Sequence, residues 1–267
     1  MTLVIGLASI VAGCANATET ATTSDLMPAG AVIGVVTWID DGDTIEVELT
    51  DEVTEVRLVS MNAPDQGECF ADQALNRLIE TLRDRTIRLV TFGEDQFGRT
   101  LAHVFADDRH VNLELVEMGM AIAATPEGND PYRKAMLEAE DDAYVSGIGL
   151  WAASACGTDD PLPNVVIVPG QSVIDPDGPD DQNLAQESLR LRNEGSESID
   201  LTGWIVRDES TRHRFTFGEL TLEPDETVTV PSSDPGWDPG GGPVWNNDGD
   251  MAMLQLPDGT VISRWRY

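Results

Sequence analysis

The chain has 267 residues, 41% of them apolar, with 24 glycines, which is enough to bury a core and excludes wholesale disorder. It holds no run of about 18 apolar residues of the kind that crosses a bilayer as a helix. Sixteen basic against 48 acidic residues leave a net charge of −32, a surface that repels nucleic acid at long range and counts against such a partner. Lys134 is the sole lysine, which suits a GC-rich or salt-adapted source better than a specific partner.

The first thirteen residues form an apolar stretch of secretory h-region length, ending in Val11-Ala12-Gly13-Cys14. Small residues before a cysteine resemble a bacterial lipobox. The expectation is a lipoprotein-type signal over 1–14 with Cys14 lipidated, then an Ala/Thr/Ser-rich flexible tether over 15–31. No Lys or Arg precedes the apolar stretch, so a plain secretory signal and an untargeted apolar N-terminus stay open. The lipoprotein assignment implies an extracytoplasmic protein, at a bacterial cell surface or secreted, with the membrane as a partner through the lipid. It also leaves Cys69 and Cys156 as a pair in an oxidising compartment, where a disulfide closing so long a loop contributes roughly 4–5 kcal/mol in the chain-entropy model. Two independent buried thiols are the other possibility.

Residues 32–157 read as one unit. Ile33, Val35, Val36 and Ile39 suggest a strand, Gly42-Asp43 a turn, 44–49 an alternating strand and 53–59 a third. Phe70, Ala74, Leu75, Leu78, Ile79 and Leu82 recur at helical spacing over 69–83. Strands at 86–92 and 99–106 and helices at 111–119 and 131–146 complete an OB-like α+β barrel with helical caps. A proline-rich stretch follows, with a linker at 158–164 passing into a short strand at 165–168. From there to 267 the pattern is all-β, with strands expected at 188–192, 199–204, 214–217, 227–231, 251–256 and 261–267. Turn residues fall every eight to twelve positions, the pattern of a β-sandwich.

Six fragments carry the chemistry. They are Asp40-Asp41-Gly42-Asp43-Thr44; Val56-Arg57-Leu58; Asn62-Ala63-Pro64-Asp65; Asp95-Gln96-Phe97-Gly98-Arg99; Val111-Asn112 with Leu115-Val116 and Gly119, running on to Tyr132-Arg133 with Ala139-Glu140; and Gly149-Leu150-Trp151. In order and spacing they resemble the staphylococcal nuclease (thermonuclease) family over some 120 residues. The resemblance implies an OB-fold barrel that hydrolyses phosphodiester bonds of DNA or RNA with Ca2+ as cofactor. Such hydrolysis needs a hard cation, a base for water and cations on the phosphoryl oxygens. Asp43 matches the first calcium carboxylate, Arg57 and Arg99 the two phosphate-gripping arginines, and Ala63 a backbone carbonyl on the metal. Asn62 stands where the family has an aspartate, and Asp65 where it has the general-base glutamate. The first brings no charge to the metal, and the second is one methylene short. Asp41 is expected to form the turn.

Gln96 and Phe97 replace a Lys-Tyr stretch of the namesake, and no basic stripe appears: 9 basic against 25 acidic residues over 31–157, and 7 against 21 over 158–267. Nucleic acid remains the implied substrate, engaged weakly or in a salt-dependent way. His103, His110 and His213 look scattered, without the spacing of a zinc site.

In the second unit Leu201-Thr-Gly-Trp204 and Trp245-Asn-Asn-Asp-Gly-Asp250 resemble the lamin-tail domain, an immunoglobulin-like sandwich with no catalytic residues to transfer. Trp204 and Trp245 are expected in its core, and the acidic run 175–181 as a solvated turn. Two functions follow. The first is a secreted or lipid-anchored calcium-dependent nuclease with Arg57, Asp65 and Arg99 catalytic and Asp43, Asn62 and Ala63 on the metal. The alternative is a catalytically degenerate nuclease-fold surface protein with a binding or adhesion role.

Overall fold

The computed structural model describes residues 31–50, 52–125, 129–157, 161–174, 186–210, 212–238, 244–246 and 249–267. The expected signal, Cys14, the tether up to residue 30 and the acidic run 175–181 lie outside the described residues.

Strands β1 (Val32–Ile39), β2 (Thr44–Glu48) and β3 (Val53–Leu58) form an antiparallel meander. After β4 (Met61–Asn62) and helix α1 (Ala71–Leu82) come β5 (Thr86–Glu94) and β6 (Thr100–Ala106). β5 pairs with β1, and β6 pairs parallel to β3 through Val56 with Thr100 and Arg57 with Leu101, so five strands close on themselves. Closure removes the sheet edges and leaves an interior filled by alternating residues: Val36, Ile45, Val47, Val56, Leu58, Ile87 and Leu89 are all essentially inaccessible. α1 lays Ala74, Leu78 and Leu82 on this core, at the spacing read from the sequence. It starts at Ala71 rather than 69 because Phe70 is left-handed, with φ 72°. β7 (Arg109–His110), α2 (Val111–Glu117), β8 (Ile122–Ala123) and α3 (Arg133–Ser146) complete the unit, with β8 pairing β4.

The histidines depart from expectation. His103 on β6 and His110 on β7 are neighbours, because the short turn between these strands folds one onto the other. His110 Nε2 lies 2.9 Å from His103 Nδ1, and His103 Nε2 lies 3.0 Å from Asp130 Oδ2, which also accepts from the Ser60 hydroxyl. The chain of buried polar groups ties β6 and β7 to the segment leading into α3. Burial, with the His103 charge beside it, pushes the His110 pKa down to about 3. The unfolded chain takes up this proton near pH 6.5 and the folded one does not, so stability present above pH 6.5 is lost as pH falls toward 3. At pH 4.5 the loss should be about 2–3 kcal/mol. Urea midpoints at pH 7 and 4.5 check it, and a His110→Gln chain should lose much of this acid sensitivity.

The second unit is a pair of sheets with the remaining strands around them. One sheet joins β9 (Val165–Ile167), β10 (Ser188–Asn193) and β15 (Thr227–Pro231). The other has the order β16 (Trp237–Asp238), β13 (Arg214–Thr216), β12 (Ile205–Arg207), β17 (Met251–Gln255) and β18 (Val261–Arg266). β11 (Ile199–Asp200) and β14 (Thr221–Leu222) form a short ladder beside them. The strand expected over 199–204 is interrupted. Asp200 Oδ1 accepts from Thr202 N–H and Gly203 takes φ +79°, which turns the chain before β12 begins. Trp204 and Trp245 are buried in this core.

The two units do not hang apart on a linker. Ile122, Ala143, Leu150 and Trp151 of the barrel unit share one apolar cluster with Met251, Met253 and Val261 of the sandwich. Arg264 and Arg266 on β18 reach across to Glu140 on α3, which is wholly buried. Cys69, just before α1, is bonded to Cys156, with Cα atoms 5.4 Å apart. The β17–β18 turn sits on that bridge so closely that a Cβ at Gly259 would lie 2.9 Å from Cys69 Cβ.

Candidate active site

The turn between β1 and β2 places Asp43. Asp41 Oδ1 accepts from Asp43 N–H at 2.9 Å, the turn-forming role expected of it. Gly42 lets this turn approach the neighbouring chain: a Cβ there would lie 2.5 Å from Ala63 Cβ and 2.8 Å from Ala74 Cβ, a distance real atoms do not tolerate. The close approach delivers Asp43 to Ala63, whose N–H donates to Asp43 Oδ2 at 2.8 Å. Asp43 is 6% exposed. Burial raises its pKa to about 6, with Asp41 adding to the rise and Arg57 opposing it.

Arg57 lies opposite Thr44 on the adjoining strand, so its side chain meets Asp43. Nη2 contacts Asp43 Oδ2 at 2.9 Å and also donates to Asn62 Oδ1, while Nη1 donates to the carbonyls of Leu58 at 2.6 Å and Met61 at 3.1 Å. Asp43, Arg57, Asn62 and Ala63 therefore form one contiguous group. Arg99 stands apart from it. Its Nε pairs with Asp95 at 2.7 Å, lies 3.9 Å from Glu55, and its guanidinium sits 5.5 Å from the exposed Phe97 ring. Asp65 is 63% exposed at its side chain; its N–H donates to Glu68 Oε2 and its carboxylate lies 4.0 Å from Arg214.

Asn62 has a partner that sequence reasoning missed. Its Nδ2 donates to the Glu209 carbonyl oxygen in the sandwich unit. An aspartate there would set a carboxylate oxygen against that carbonyl, so the amide in place of the family's acid has a local physical reason. Glu68, three residues past Asp65, was also missed. It holds Arg214 and contacts Arg207 at 3.5 Å. Its one sequence signal was an acidic residue close to the motif. Arg207, Glu209 and Arg214 had none, since the contacts span about 140 residues of chain.

The Asp43 carboxylate and the Asn62 amide oxygen meet at Arg57 Nη2 and are both oxygen donors, while Ala63 faces Asp43 with its N–H. Such a set suits a hard cation. Asp43 is a carboxylate whose charge burial disfavours, and a cation beside it would stabilise that charge. Among the described residues no three His, Cys, Asp or Glu side chains converge as a ready-made metal cluster.

The model of staphylococcal nuclease homologues matches residues 55–153, and that of the lamin tail domain residues 163–267. An uncharacterized endonuclease of Haemophilus influenzae is 35% identical over 118 residues, covering 44% of this chain and 65% of that protein. A micrococcal nuclease of Shigella flexneri is 32% identical over 128 residues, or 45% of this chain and 73% of that protein. A thermonuclease of Staphylococcus intermedius is 29% identical over 125 residues, covering 44% and 74%. The chain thus spans a little under two thirds of the Haemophilus protein and more of the other two. These relatives support a nuclease function. With its closed five-stranded barrel and this likeness, the chain belongs to the staphylococcal nuclease family, and a lamin tail domain follows the barrel.

Proposed function

We propose that the protein is a calcium-dependent nuclease, secreted or anchored outside the cytoplasm through a lipid on Cys14, that hydrolyses phosphodiester bonds of DNA or RNA. The observation that carries this is the convergence of Asp43, Arg57, Asn62 and Ala63 at the mouth of a nuclease-family barrel. Asp43, the Asn62 amide oxygen and the Ala63 carbonyl would hold calcium, which when bound offsets charge on a phosphoryl oxygen. Arg57 and Arg99 present planar forks to the remaining phosphoryl oxygens as negative charge builds. The exposed Asp65 carboxylate takes a proton from the attacking water. The water oxygen forms the new P–O bond, the bond to the leaving oxygen breaks, and that oxygen takes a proton from solvent.

Asn62→Asp tests the metal assignment. It restores a carboxylate near the cation and removes the donor to Glu209. Half-maximal cleavage of single-stranded DNA should then need several-fold less calcium, while stability falls by about 1–3 kcal/mol through the lost bond and the facing oxygens. An unchanged calcium requirement in a folded variant would remove Asn62 from the ligand set.

The degenerate surface-protein reading draws support from the same residue, since Asn62 is held by the second domain and Asp65 is a short base. It predicts a folded protein that cleaves nothing at any calcium or salt concentration.

A further inference from the structure

Where the barrel meets the sandwich, a cavity of about 200 Å3 opens beside the candidate active site. Asn62, Ala63 and Glu68 line it from the barrel, and Arg207 and Arg214 from β12 and β13. In a chain with three acidic residues for every basic one, two guanidinium groups meeting at one cavity are an exception to the charge balance.

Arg207 is the less well matched of the two. Arg207 is 5% exposed, its Nε has no hydrogen-bond partner among the described residues, and its contact with Glu68 is 3.5 Å, well beyond the usual 2.7–2.9 Å of a charge-assisted bond. Glu68 is at the same time engaged by Arg214, so one carboxylate serves two guanidiniums. Among the described residues the charges of Asp208 and Asp65 also favour the Arg207 guanidinium, against the cost of its burial. Asp208 accepts from Ser210 and faces His213 Nδ1 at 2.7 Å. Asp258 accepts from Thr260 N–H, and Asp65 is 4.0 Å from Arg214 and largely in solvent. A buried guanidinium with an open donor is costly to fold around unless an anion completes it.

We propose that this interdomain cavity binds a phosphate group, with Arg207 and Arg214 gripping its oxygens and Glu68 holding the two arginines in its absence. Guanidinium forks match the tetrahedral oxyanion, and the volume admits one phosphate with part of its ester. Both arginines belong to the second domain and the cavity is lined by Asn62 and Ala63 on its other side, so a strand lying across the barrel mouth would set a flanking phosphate there. That the phosphate belongs to a nucleic-acid strand rests on the nuclease reading; that a phosphate binds here does not.

Calorimetric titration of the full chain with inorganic phosphate, in calcium-free buffer at low salt, tests the site without any cleavage. Saturable binding of one phosphate is expected, weakened at least tenfold in Arg214→Gln, tightened in Glu68→Gln and retained in Arg99→Ala. Arg207→Gln should weaken binding likewise. If that buried change prevents folding, the partly exposed Arg214 carries the test, with a thermal melt to show that the variant is folded. Competition then separates the sources. Displacement by a short single-stranded oligonucleotide identifies a strand phosphate, displacement by a nucleoside monophosphate alone a free nucleotide, and either supports the site. No saturable binding by the folded protein, or binding that survives Arg214→Gln and vanishes in Arg99→Ala, overturns it. Phosphate binding by a protein that cleaves nothing would sink the nuclease reading and leave this site standing.

Discussion

Arg266→Ala is expected to lower the unfolding free energy by about 3–5 kcal/mol, the cost of leaving buried charge without its partner. Arg266 donates through Nε and Nη2 to Glu140 Oε2 at 3.1 and 2.9 Å, through Nη1 to Glu209 Oε2 at 2.6 Å, and to the Ala123 carbonyl at 2.7 Å. Glu140 and Glu209 are 0% and 3% exposed. Burial already pushes the Glu140 pKa up, and Arg266 and Arg264 are the charges that oppose the rise. Without Arg266, Glu140 keeps Arg264 at 3.3 Å, and Glu209 loses its bond from the guanidinium. The same truncation at Lys134, whose pair with Glu138 is exposed on both sides, should cost under about 1 kcal/mol. Urea unfolding of both variants measures the contrast. A loss at Arg266 no larger than that at Lys134 would mean that docking of the sandwich on α3 contributes little to stability.

Arg57→Ala should reduce cleavage by a factor on the order of 10²–10³, the usual effect of removing one preorganised donor from a developing oxyanion. The arginine has two tasks in this geometry. It presents a fork near the reacting phosphate, and it bridges Asp43 to Asn62. Arg57→Lys separates them, since lysine keeps the charge but cannot bridge both groups with a planar fork. Cleavage that falls nearly as far in the lysine variant as in the alanine variant assigns the effect to the fork. Recovery to within a few-fold assigns it to charge alone. Asp43→Asn should be equally damaging and should not be rescued by added calcium.

The barrel was legible because its signals are local. Alternation in β2, the helical spacing of Ala74, Leu78 and Leu82, and the turn at Gly42-Asp43 all act within a few residues. The fragments holding Asp43, Arg57 and Asn62 were readable for the same reason, and the pairing of Thr44 with Arg57 brings them together. What the sequence did not disclose is non-local. His103 and His110 looked unrelated until the β6–β7 turn brought their rings edge to face, and Arg207, Glu209 and Arg214 carry no motif that points to a barrel far behind them in the chain. A proline-rich connection read as a linker, whereas a shared apolar cluster and the Arg264/Arg266–Glu140 pairs dock the second domain on the first, and the Asn62–Glu209 bond makes it a wall of the candidate site.

That wall also bears on the charge. A protein at −32 repels a polyanion, and salt shortens the repulsion from about 10 Å at 0.1 M to about 3 Å at 1 M. Hydrolysis of single-stranded DNA by the full protein, followed with millimolar calcium or with a chelator across that range of salt, tests the calcium-dependent nuclease directly. Cleavage is expected with calcium, none with chelator, and a rate that holds or rises as salt increases. Intact DNA under every condition, from protein shown to be folded, would contradict it.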